Sequence, residues 1–75
     1  MSAINEILVF KTTIKGAEDC HKVSQLLMNN TLIKHFNFDL EDCDKILRVV
    51  SVGINSEEII CSLKNLDIHC EELFN

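Results

Sequence analysis

The stretch IKHFNFDLEDCDKILRVVSV, Ile33–Val52, decides the fold. From Ile33 to Leu40 the residues alternate: Lys34, Phe36, Phe38 and Leu40 share one face, Ile33, His35, Asn37 and Asp39 the other. A period of two marks a half-buried strand, here with its aromatic pair turned to the core. Glu41, Asp42, Cys43 and Asp44 form a polar turn. Lys45–Val52 then resumes as a strand with apolar residues on both faces, Leu47 and Val49 against Ile46 and Val50, which predicts a central position in a sheet. Two such runs joined by a short polar turn read as a β-hairpin.

Upstream of the hairpin, Ala17–Asn29 changes period. Cys20, Val23, Leu26 and Leu27 fall at helical spacing, and Glu18 and Asp19 suit the positive end of a helix dipole. Before that helix, Glu6–Ile14 is rich in β-branched and aromatic residues and reads as another strand. Leu8, Phe10, Thr12 and Ile14 lie on one face, Ile7, Val9 and Lys11 on the other, again a central-strand pattern. Downstream, Gly53–Ser56 is a loop into a second helix, capped by Asn55 or Ser56 and carrying Glu57 and Glu58 in its first turn. Ile59, Ile60, Leu63 and Leu66 make its apolar stripe. Ile68–Leu73 closes the chain as a short strand. The order β-α-β-β-α-β predicts a ferredoxin-like α+β fold, a four-stranded antiparallel sheet with two helices on one face.

Seventy-five residues fit one domain, 1–75, near the lower limit for folding without metals or disulfides. The formal net charge is −5, and the seven basic residues are scattered rather than clustered. Binding to nucleic acid or to an anionic membrane needs clustered Lys and Arg, so neither is an expected partner. The N-terminus lacks a basic n-region and a long apolar run, which predicts a cytoplasmic protein. Four cysteines at 20, 43, 61 and 70 match no zinc-ribbon or Cys-x-x-Cys spacing. No glycine-rich phosphate loop or nucleophile elbow is present, and no enzyme active site is expected.

The strand Ile7–Ile14, the helix from Ala17, the hairpin through Phe36–Leu40 and Ile46–Val49, and the closing helix and strand together resemble the heavy-metal-associated (HMA) domain of copper-chaperone type. That family carries its metal in a Met-x-Cys-x-x-Cys loop between the first strand and first helix, where two thiolates clasp a soft cation such as Cu(I). Here the equivalent stretch runs from Ile14 to His21. Aligned through Val23 and Leu27, it puts Gly16 and Asp19 where the resemblance implies the two cysteines. Shifted by one, it puts Ala17 and Cys20 there. Either way the paired thiolate is missing, and the chain reads as a degenerate member without the motif.

Three groups remain as candidate sites. Cys20 and His21 are the metal candidates, for Cu(I) or Zn, alone or across a dimer. Neighbouring helical residues diverge by about 100°, however, and the competing reading makes Cys20 a small core residue. Asp39, Glu41, Asp42 and Asp44 form an acidic hairpin, either a solvated turn or a patch that docks a basic partner. Ile7, Val9, Ile46 and Val50 fall on the sheet face that the helices leave open, an unusual set for a monomer unless the stems of Lys11 and Arg48 cover them. The function expected is a small non-catalytic binding or interaction module without a cofactor, engaging a protein partner or itself. The alternative is a metal carrier through Cys20 and His21.

Overall fold

The computed structural model describes residues 5–41 and 43–74. Its elements are β1 (Glu6–Thr12), α1 (Ala17–Met28), β2 (Ile33–Asp39), β3 (Ile46–Ser51), α2 (Ser56–Lys64) and β4 (Cys70–Glu72). All neighbouring strands are antiparallel, in the order β2-β3-β1-β4. The two strands with apolar residues on both faces, β1 and β3, are therefore the central pair. The expected ferredoxin-like architecture is present.

The core lies between the sheet and the helices. Phe10, Leu47 and Val49 from the central strands meet Val23 and Leu27 of α1 and Ile59 and Leu63 of α2, all buried. Burying such side chains contributes roughly 1.5–3 kcal/mol each. Ile54 joins them from the loop ahead of α2, although the loop reading gave it no core role. That loop needs Gly53, whose φ of 81° lies in the left-handed region that a side chain disfavours.

Three local bonding patterns trim the predicted elements. β1 stops at Thr12, where the side chain takes up the backbone groups that a continued ladder would use: Oγ1 accepts from Ile14 N at 3.3 Å and donates to Lys45 O at 2.6 Å. β2 carries an irregularity between Ile33 and His35, where Ile33 pairs with Ser51 and His35 with Val50. The bulge turns Ile33 toward the core side and leaves Lys34 exposed, reversing the faces that strict alternation assigned to them.

The third pattern shortens β4. After α2, Ile68 N donates to Leu63 O and Asp67 N to Lys64 O, with Asp67 at φ 65°. This is a Schellman closure with its usual apolar contact, since Leu63 and Ile68 are both buried. Using the Ile68 N–H in the helix end removes it from the sheet. His69 N then donates to Thr13 Oγ1, so regular pairing starts at Cys70 rather than at Ile68.

Candidate functional site

The loop between β1 and α1, with the first turn of α1, is where the HMA resemblance places a metal clasp. This stretch holds one thiol, Cys20, one turn into the helix, where the Cys20 N–H makes an intrahelical bond to Gly16 O. Gly16 supplies no side-chain cap. Asp19 instead reaches back, its Oδ2 accepting from Lys15 N at 2.9 Å, and Glu18 stands beside it in the first turn. The positive end of this helix is thus already met by carboxylates of the chain itself.

Cys20 is half-buried against the core cluster, and His21 is exposed, its Nε2 lying 3.2 Å from Gln25 Nε2. Burial first, and the Asp19 carboxylate second, push the Cys20 thiol above its ordinary pKa of 9.0. A soft-metal ligand needs the opposite shift, toward thiolate. Among the described residues no three His, Cys, Asp or Glu side chains come together as a metal-holding group. The residues present therefore do not fit a paired-thiolate clasp for Cu(I), and the two donors do not form a closed zinc site.

The remaining cysteines are dispersed. Cys43 in the hairpin turn and Cys61 on α2 are exposed. Cys70 is 4% exposed, and burial raises its pKa to about 12. His69 is exposed.

The acidic hairpin is less free than its composition suggests. Asp39 Oδ2 lies 4.0 Å from Arg48 Nη2, and Asp44 Oδ1 lies 3.8 Å from Lys11 Nζ. Lys45 Nζ donates to Leu40 O at 3.1 Å. Two of the four carboxylates thus face cations of the chain, while Glu41 is exposed and Asp42 lies outside the described residues.

The open sheet face is ordered by the register. One row is His35, Val50 and Ile7; the next is Asn37, Arg48 and Val9; the third is Asp39, Ile46, Lys11 and Glu71. Ile7 is 68% exposed, and Val9 and Val50 are half-buried. Ile46 departs from the expectation of an accessible aliphatic, being only 5% exposed. It sits between Lys11 and Asp39, both engaged in ion pairs, and the stems of such side chains shield apolar surface.

Sequence reading missed one member of this band. Leu73 N donates to Val9 O at 2.8 Å, which sets Leu73 beside Val9, and it remains 38% exposed. Its signal was present in the two-residue period from Glu71, but it gains meaning only once β4 pairs with β1. The apolar band is Ile7, Val9, Val50 and Leu73, with the charged row at the opposite end.

A cleft of about 370 Å³ opens between α1 and α2, lined by Leu26, Ile33, Ile54 and Ile59 among others. Among the described residues Glu58 is its one ionisable lining residue, so no acid–base pair of theirs faces it. No described helix is long and apolar enough to cross a membrane.

The sequence matches no family model and no curated protein sequence. Among solved structures, the chain is similar to the apo form of the HMA domain of the copper chaperone for superoxide dismutase, with a TM-score of 0.80. The match covers 99% of this chain and 72% of that one at 15% sequence identity. Such low identity over nearly the whole chain is a likeness of fold alone. The chain has the βαββαβ fold of an HMA domain.

Proposed function

We propose that this chain is a non-catalytic protein-interaction module, one unit over residues 1–75, whose docking surface is the open sheet face. The observation that carries the reading is Ile7, 68% exposed on a central strand with Val50 beside it in the register. Val9 and Leu73 extend the band, and the Arg48–Asp39 and Lys11–Asp44 pairs border it. An apolar centre with a charged border is the usual anatomy of a protein interface. Exposed Glu41, in the hairpin turn, would add negative charge and steer a basic partner. Four free cysteines suit a reducing compartment, and we place the module in the cytoplasm.

The alternative is a Cu(I) or Zn carrier through Cys20 and His21, favoured by the fold shared with a copper-chaperone domain. It is weakened by the direction of the Cys20 pKa. One comparison separates the two. Immobilised parent, Ile7→Lys and Cys20→Ser proteins are used for quantitative capture from a cytosolic extract, and the reduced proteins are titrated with Cu(I) or Zn against a chelator. The interaction module predicts captured proteins lost with Ile7→Lys and kept with Cys20→Ser, with only weak thiol-level metal retention. One tightly held metal per chain or per dimer, abolished by Cys20→Ser, would overturn it in favour of the carrier.

A further inference from the structure

The two edges of the sheet differ in kind. β4 has three residues, two of them Glu71 and Glu72, and a short acidic edge repels a copy of itself. β2 has seven residues and no strand partner on its outer side among the described residues. Its bulge at Lys34 blunts only the N-terminal end, leaving His35–Asp39 as a regular run whose alternate residues, Phe36 and Phe38, turn their backbone donors and acceptors to the open edge.

What surrounds that run is apolar on the helix side. Phe36 and Phe38 are half-buried and touch edge to face, with centroids 6.0 Å apart. Met28, at the end of α1, is 74% exposed and lines a shallow cleft of about 420 Å³ together with Phe36. Leu32, just ahead of β2, is 43% exposed. Two of the five large hydrophobic residues exposed among the described residues therefore lie next to this one edge.

We propose that a second copy of this chain adds to the outer edge of β2, antiparallel, about a two-fold axis through Asn37. The register chooses the occupant. A two-fold axis perpendicular to the sheet pairs residues on the same face, and centring it on Asn37 makes paired positions sum to a constant. His35 then lies opposite Asp39 of the second copy, and Asp39 opposite its His35, on the open face. Phe36 lies opposite Phe38, twice, on the helix side. An imidazole facing a carboxylate can hydrogen-bond to it, and aromatic cross-strand pairs likewise stabilise antiparallel neighbours. Closed two-fold pairing also consumes both free β2 edges, so assembly ends at the dimer. The surface is small, and the dimer falls at the weak end of specific interfaces.

This inference does not rest on the sheet-face reading, and substitutions separate them. Sedimentation velocity over a concentration series measures self-association of the parent, His35→Asp, Asp39→Lys and Ile7→Lys proteins, with amide spectra confirming that each is folded. His35→Asp sets Asp against Asp39 at two symmetric points and should weaken the dimer about tenfold or more. Asp39→Lys should do the same. Mixing the two variants restores both attractive pairs, so a heterodimer should form where neither variant dimerises alone. Amide exchange of the parent should slow with concentration at Phe36 and Phe38, whose N–H groups face the open edge. A parent that stays monomeric, or a dimer indifferent to His35→Asp, overturns the proposal. A dimer dispersed by Ile7→Lys but not by His35→Asp overturns it in favour of the sheet face.

Discussion

Ser51 closes the central strand β3, is 0% exposed, and has a hydroxyl with no hydrogen-bond partner among the described residues. Its neighbours in the register are Glu6 on β1 and Ile33 on β2. A buried unpaired hydroxyl loses its water contacts without replacement, a penalty of about 1–3 kcal/mol. Ser51→Ala removes the penalty and leaves a void. One oxygen occupies less than the ~30 Å³ share of a liquid water. At about 24 cal/mol per Å³ that void costs less than ~0.7 kcal/mol. The net is a stabilisation of about 0.3–3 kcal/mol from the difference of these terms. In a domain of this size each kcal/mol shifts Tm by about 4–8 °C. Thermal unfolding followed by circular dichroism should therefore show Ser51→Ala melting several degrees higher. Urea unfolding should give a higher midpoint at an unchanged m-value. A fall in Tm would refute the reasoning and mean that the hydroxyl is satisfied, for instance by a bound water.

Two further outcomes test the local physics. Asp67→Gly places at φ 65° the residue with no steric objection to it, and should stabilise the α2 closure by about 1 kcal/mol in urea unfolding, whereas Asp67→Val should destabilise it. Cys70 has a folded pKa of about 12 against an ordinary 9.0, so the fold holds the neutral thiol while the unfolded chain ionises. A raised folded pKa means that this stability is fully present below pH 9 and is lost as pH rises toward 12, by up to about 1.4 kcal/mol per pH unit. Denaturant titrations at several alkaline pH values should show a slope that flattens in Cys70→Ala. An equal slope in parent and variant would show that Cys70 ionises freely in the fold.

Legibility in the sequence followed the range of each interaction. The period change between Ile14 and Ala17, and again between Val52 and Ser56, is a local property of side-chain spacing: α1 begins at Ala17 as it predicts, and α2 begins at Ser56, the last residue of the predicted loop. The apolar residues on both faces of β1 and β3 carried enough information to predict the central pair, because only an inner strand is covered on two sides. Asn55 was legible as a cap for the same reason: its Oδ1 accepts from Glu57 N, two residues away. The candidate site was less legible. Cys20 and His21 could be found by residue type, but the Asp19 bond to Lys15 N and the burial that raises the thiol pKa depend on the folded loop.

The chain by itself therefore determined its element order, its two central strands and the absence of a second cysteine in the β1–α1 loop. These are set by residue identities and by spacings of two to four. The tertiary structure alone decided which open-face residues remain accessible. Ile7 and Ile46 are alike in chemistry and both lie off the core side, yet one is 68% and the other 5% exposed. The difference arises because Ile46 is flanked by Lys11 from a strand thirty-five positions earlier and by Asp39 across the hairpin, each tied into an ion pair. Such shielding is a relation between strands, and no spacing along a single strand encodes it. The two-fold match of His35 to Asp39 is divided in the same way: alternation along the strand already puts both residues on one face, but only the sheet order makes β2 an edge whose outer side has no strand partner among the described residues.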